Sequence, residues 1–197
     1  MNNTDLCNMA LGYIGQGRIA SRDEDSEQAR NCALYYDIVR QNLLTGYVWE
    51  FAQKQVKLAL LDAKTLGWDY TYAFPASALI VRKVFDEEYA WMKDDRETEF
   101  TIVSVNETQK GVATNIRDAW CEYTADMDNT TAFPPAFQQA LVYSLAASLA
   151  YPLCGSVQLQ QQYYQLAQAA IMQAKYNSAI QDEHKPSWPH TYFDARF

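Results

Sequence analysis

The stretch Phe133-Pro134-Pro135-Ala136-Phe137-Gln138-Gln139-Ala140-Leu141-Val142-Tyr143-Ser144-Leu145-Ala146-Ala147-Ser148-Leu149-Ala150-Tyr151-Pro152 decides the fold. Proline is tolerated in a first helical turn, where its missing N–H has no partner to lose, so the segment predicts a helix opening at Phe133-Pro134-Pro135 and ending near Pro152 or Gly155. Its apolar run, Ala140 to Leu149, is well short of the roughly 20 residues that a bilayer requires, and Tyr143, Ser144 and Ser148 interrupt it, which predicts no membrane span. Ser156 can cap a following helix whose apolar positions Leu159, Tyr163, Leu166, Ala170 and Ala174 carry it to about Asn177. From Asn129 to Gln181, fifty-three residues, the only charged side chain is Lys175. Surface helices normally carry Lys and Glu on the wet face. Either both helices are central in the monomer's core, or their polar faces meet neighbouring subunits, because interface cores are depleted of Lys, Glu and Asp.

Upstream, Leu6, Met9, Ala10, Tyr13 and Ile14 keep helical spacing behind a Thr4 N-cap, with Gly15 as the stop. Ala29, Cys32, Ala33, Tyr36, Val39 and Leu43 form a second stripe, with Asp23, Glu24, Asp25 and Glu27 at its positive end and Gly46 after it, which predicts a helix over about 25–45. From Trp49 the period becomes two. Val56, Leu58 and Leu60 alternate with Lys57 and Ala59, and Trp68, Tyr70, Tyr72 and Phe74 alternate with Asp69, Thr71 and Ala73. Leu79–Val84, Phe100–Val105 and Ala119–Thr124 are further strands, with Asn106 to Gly111 as a turn. The expected fold is α+β, mainly α: a helical bundle of about four helices with a small, mostly antiparallel β section inserted between helix 2 and helix 3. Residues 1–48 and 126–181 form the helical body, 49–125 the β section and 182–197 an extended C-terminal arm.

The chain of 197 residues and 22.5 kDa is 49% hydrophobic, enough for one sizeable core. Twenty-four acids against sixteen bases give −8, which argues against a protein that grips nucleic acid through its phosphates. Seven of the acids, Asp86, Glu87, Glu88, Asp94, Asp95, Glu97 and Glu99, oppose only Lys93 and Arg96 in one stretch, either a solvated loop or a surface that repels DNA along its path. The N-terminus has neither the basic nor the apolar region of a secretory signal, which predicts synthesis in the cytoplasm. Cys7, Cys32, Cys121 and Cys154 have no zinc-like spacing and read as reduced, buried small hydrophobes.

The end of the chain places Trp188, Tyr192, Phe193 and Phe197 around Pro186 and Pro189 without helical or strand spacing. Aromatics spaced in this way suit an arm that docks on a partner, or a tail folded back on its own core. Nucleophilic catalysis needs a histidine beside the nucleophile, and the chain offers only His184 and His190, both in this tail. Glu87 with Asp94, or Glu50 with Asp69, are the carboxylate pairs from which a glycosidase could be built. No phosphate-binding glycine loop, dinucleotide fingerprint or calcium loop is present, so no cofactor, metal or catalytic residue is expected.

Asp5-Leu6, Ala10-Leu11, Ile14-Gly15, Ile19, Asp25-Ser26-Glu27-Gln28-Ala29-Arg30, Tyr36, Arg40, Trp49-Glu50-Phe51-Ala52, Trp68-Asp69-Tyr70-Thr71-Tyr72 with Pro75, and Ala146-Ala147-Ser148-Leu149-Ala150-Tyr151-Pro152-Leu153 follow one another in an order with a known counterpart. From Asp5 to about Asn177 the chain resembles the tail tubular protein A family of short-tailed bacteriophages, the head-to-tail adaptor or gatekeeper proteins. The resemblance implies a virion structural protein of the tail or neck, made in the host cytoplasm and having no active site. It implies a dodecameric ring that joins the portal protein ring to the tail nozzle protein and lines the DNA exit channel, through which DNA passes without specific binding during ejection. Two alternatives stand beside it: a virion-associated carboxylate-pair glycosidase and an unrelated helical interaction domain.

Overall fold

A computed structural model describes residues 1–87 and 99–183. Among them are four α-helices, α1 (Asn3–Tyr13), α2 (Glu27–Thr45), α3 (Pro135–Cys154) and α4 (Val157–Glu183). There are also six strands, β1 (Gln53–Lys57), β2 (Tyr70–Ala73), β3 (Ala78–Phe85), β4 (Phe100–Ser104), β5 (Lys110–Thr114) and β6 (Trp120–Ala125). The fold is α+β and mainly α, with the strands between the second and third helices. The chain divides into two compact units, Met1–Tyr36 with the chain from Phe133 onward, and Asp37–Ala132, so the division falls inside α2. No described helix is long and apolar enough to cross a membrane.

In the first unit α1 is capped by Asn2, not by Thr4. The Asn2 side chain accepts from the Asp5 N–H at 2.8 Å and the Asp5 carboxylate accepts from the Asn2 N–H at 2.8 Å, a reciprocal box that satisfies two donors where a threonine cap would satisfy one. Helix α2 starts at Glu27, two residues later than the acids suggest, because the Ser26 hydroxyl accepts from the Ala29 N–H at 3.1 Å while Glu24 is occupied in the loop before it. Helix α3 is the core element: Phe137, Leu141, Val142, Leu145 and Leu149 are buried, and it packs against α1 and α4. Gly155, with φ +63°, ends it by donating its N–H to the Tyr151 carbonyl at 2.8 Å. The Ser156 hydroxyl caps α4 as expected, accepting from the Leu159 N–H at 3.2 Å. Helix α4 continues to Glu183 instead of stopping near Asn177, since no proline or glycine intervenes. Its buried stripe is Tyr163, Ala167 and Ala174, so Tyr163 and Ala174 face inward as the spacing suggests, while Ala167 takes the inward place read for Leu166, which is exposed.

The second unit holds two three-stranded antiparallel sheets where one β section was expected, ordered β1-β6-β3 and β2-β5-β4. The alternation Val56, Leu58, Leu60 is divided between them. β1 ends at Lys57, the Leu58 N–H still donates to the Ala119 carbonyl at 2.8 Å, and Leu60 pairs with Tyr72 of the other sheet. β5 overlaps the expected turn and is central in its sheet, so Gly111, Val112, Ala113 and Thr114 are all buried and show no period-two signal. Both sheets contribute to one core, with Tyr72 and Val112 from one and Val81, Val84, Cys121 and Tyr123 from the other. Arg82 on β3 donates to the Thr45 carbonyl at 2.8 Å and the Tyr47 carbonyl at 3.2 Å, so a cation satisfies the end of α2.

Candidate interaction surfaces

The nearly uncharged stretch Asn129 to Gln181 separates into two kinds of helix. Helix α3 is buried on most sides, and its lack of charge needs no partner. Helix α4 buries one stripe and turns the rest outward, with Lys175 the one charged side chain before Asp182. Met172, Tyr176 and Ile180, at i, i+4 and i+8, make one apolar ridge in which Met172 is 66% and Tyr176 63% exposed. Tyr164 is exposed as well, and the wet positions around it are glutamines such as Gln161, Gln165 and Gln168. A glutamine face stays hydrated when alone and can exchange water for a neighbour's amides or carbonyls without desolvating a charge, which is the costly step for Lys or Glu.

Beside this face, Tyr13, Tyr143 and Tyr163 bring rings from α1, α3 and α4 together, with centroids 5.2 Å apart for Tyr13–Tyr143 and 5.9 Å for Tyr13–Tyr163. The Tyr163 hydroxyl donates to the Tyr13 carbonyl at 2.5 Å, closing the end of α1. Burial, followed by a hydrogen bond with Tyr13, pushes the Tyr143 phenol up.

Of the expected acidic surface, Asp86, Glu87 and Glu99 are exposed in the second unit, and Glu88, Asp94, Asp95 and Glu97 lie outside the described residues. Trp188, Tyr192, Phe193 and Phe197 of the arm, with His184 and His190, also lie outside them. Of the paired carboxylates, Asp94 is outside. Glu50 opens a short 3-10 helix before β1, and Asp69 precedes β2 with its N–H held by Asn115, and both are exposed. Among the described residues no group of three or more His, Cys, Asp or Glu side chains is arranged to hold a metal ion.

The sequence reading assigned no role to a highly connected charge among the described residues of the second unit. Arg40, 3% exposed, donates to the Asp126 carboxylate at 2.5 Å, the Met127 carbonyl at 2.6 Å and the Asp37 carboxylate at 3.2 Å, with Asp128 at 3.8 Å. Burial alone would push the guanidinium down. The hydrogen bond and charge of Asp126, joined by Asp37 and Asp128, hold it above its ordinary value. The i, i+3 spacing of Asp37 and Arg40 was visible in the sequence, but their attachment to the loop at Asp126–Asp128 is long-range and carries no local signal. No protein-family model matches this chain, and no curated protein matches it.

Proposed function

We propose that the protein is a virion structural adaptor that assembles into a ring, joins the portal to the tail nozzle and lines the DNA exit channel. The observation that supports this most directly is the outward face of α4, about six turns of exposed helix on which apolar and amide side chains stand with Lys175 as the single charge before Asp182. A chain of net charge −8 repels its own copies wherever charges face each other, so contact between copies is least opposed where the surface carries none. Repeated around a closed ring, one heterologous contact of this kind generates the whole assembly, with no residue needed for chemistry. The exposed acids at Asp86, Glu87 and Glu99 belong to the stretch that would keep passing DNA from adhering.

Assembly is templated in this reading, since an array that closes only on the portal avoids useless polymers in free solution. The mass of the purified chain, alone and mixed with a portal ring, tests it. A discrete larger particle that forms only with portal is expected. Tyr176→Asp places a charge on the α4 ridge and should abolish that particle while leaving the melting temperature of the isolated chain unchanged. The absence of any portal-dependent species over a wide concentration range overturns the proposal.

A further inference from the structure

We propose that strand β4 of one copy takes strand β1 of a second copy onto its open edge, so that neighbouring subunits share a continuous antiparallel sheet. The strand orders leave β1 and β3 at the edges of one sheet and β2 and β4 at the edges of the other. An edge presents unpaired N–H and C=O groups that another strand can use unless the fold covers or interrupts them. Two of these edges are managed. The Leu61 N–H donates to the Thr71 carbonyl at 2.9 Å and the Ala73 N–H to the Ala59 carbonyl at 2.8 Å, so the chain before β2 covers its outer side. β3 is broken by register shifts between Ala78 and Ile80 and between Val81 and Lys83, irregularities that spoil an edge for pairing. β1 and β4 have neither device, and among the described residues no other strand bonds to their outer sides.

The register identifies the open groups. The Phe74 N–H donates to the Lys110 carbonyl at 3.3 Å, so Lys110, Val112 and Thr114 turn their backbone groups to β2 and leave those of Gly111 and Ala113 for β4. On β4, Thr101 and Val103 answer them, and the backbone groups of Phe100, Ile102 and Ser104 point outward. The Leu58 N–H, donating to the Ala119 carbonyl at 2.8 Å, fixes β1 in the same way. Lys54 and Val56 bond to β6, Gln55 and Lys57 are open, and Gln53 keeps an open carbonyl, its N–H being held by the Glu50 carbonyl. Laid antiparallel, Phe100 meets Lys57 and Ile102 meets Gln55 as hydrogen-bonded pairs, and the Ser104 N–H reaches the Gln53 carbonyl. Charge chooses the partner. β4 carries no charged side chain and Glu99 stands just before it, whereas β1 carries Lys54 and Lys57, both exposed. Two β1 strands would set lysines against lysines, but β1 on β4 brings Lys57 to the end where Glu99 stands. Two β4 strands would close a two-fold dimer and leave β1 open, whereas β4 on β1 repeats from copy to copy. This head-to-tail choice rests on the ring proposed above and adds a second contact to that of α4.

The test mixes equal amounts of two full-length variants, Gln55→Cys and Ser104→Cys, both at exposed positions, and adds a short bismaleimide to the free chains at high concentration and, separately, to chains mixed with the portal ring. Peptide mapping by mass is expected to find residue 55 joined to residue 104 in the mixture, in neither variant alone and not in the unaltered chain, whose four cysteines are the background. Adding Ile102→Pro to the Ser104→Cys chain removes one outward N–H and none that faces β5, so its melting temperature should hold while the mixed link falls about tenfold. Ile102→Lys, which sets a third lysine against Lys54 and Lys57, should lower the link as well and serves where the proline variant does not fold. No mixed link in either setting, a link between two copies of residue 104, or a mixed link that both changes at Ile102 leave intact overturns the proposal. A portal-dependent particle without the mixed link refutes this contact and leaves the ring standing, and a mixed link between free chains with no such particle does the reverse.

Discussion

Arg40 shows how one buried cation organises its surroundings. Its guanidinium is almost fully buried, while Asp37 and Asp128 remain more than half exposed. Replacing Arg40 with Met removes three hydrogen bonds and leaves three carboxylates facing one another, although water can reach at least two of them. Arg40→Met is therefore expected to destabilise the fold by about 2–4 kcal/mol in urea unfolding. Asp128→Asn, at the long 3.8 Å contact, should change it by no more than about 0.5 kcal/mol. Glu24 gives a pH-dependent counterpart. Its carboxylate accepts from the Ser26 hydroxyl at 2.7 Å and the Ala20 N–H at 2.7 Å, and these hold its pKa below the usual carboxylate range. A group depressed in the folded state contributes stability above its unfolded pKa and loses it as pH falls through the lower folded value. The protection of the Ala20 and Ser21 amides, taken relative to their intrinsic exchange rates, should accordingly fall as the solution is acidified below the ordinary glutamate range, and Glu24→Gln should remove that acid-dependent step. Neither cluster was legible from composition, because each depends on which backbone groups the chain brings within reach.

At the scale of elements, what the sequence disclosed depended on periodicity. Helix α2 and strands β3, β4 and β6 carry apolar spacing that is visible in the sequence, and their positions follow from it, whereas α3, buried on most sides, is legible from its opening prolines. β5 is central and buried from Gly111 to Thr114, so nothing alternates, and its glycine and small residues resemble a turn. Gly111 is there for space. A Cβ at that position would lie 2.8 Å from Val105 Cγ2 and 3.0 Å from the Tyr72 carbonyl oxygen. The valine side chain can shift but the carbonyl belongs to the paired strand, so Gly111→Ala is expected to cost about 1–3 kcal/mol through a displaced β2–β5 pairing. Thermal unfolding measures the loss, and amide exchange at Tyr70 and Tyr72, on the β5 side of β2, shows whether that pairing is its source. The α4 register illustrates the opposite limit: alanine and leucine both occur at helical spacing there, and only packing against α3 decides that Ala167 goes inward and Leu166 outward.

For the whole molecule, the nearly uncharged stretch Asn129 to Gln181 had two explanations, and each applies to one helix. Burial accounts for α3, whereas α4 presents a surface that burial within the subunit leaves uncovered. The proposed assembly gives that surface a use, and it also bears on the aromatic arm. Helix α4 runs unbroken to Glu183, so removing residues 184–197 leaves every described core side chain in place. If Trp188, Tyr192, Phe193 and Phe197 anchor a partner, the truncated chain should melt at the same temperature as the full chain and bind the portal ring more weakly. Each anchor that is a hot spot accounts for on the order of 2 kcal/mol, so loss of two would weaken binding by roughly a thousandfold. Calorimetry on the isolated chain and a binding titration against portal separate fold from attachment. Unchanged portal affinity would exclude the arm as an anchor, and a truncated chain that aggregates or melts much earlier would assign the four aromatics to the subunit's own core, leaving the α4 face to carry assembly by itself.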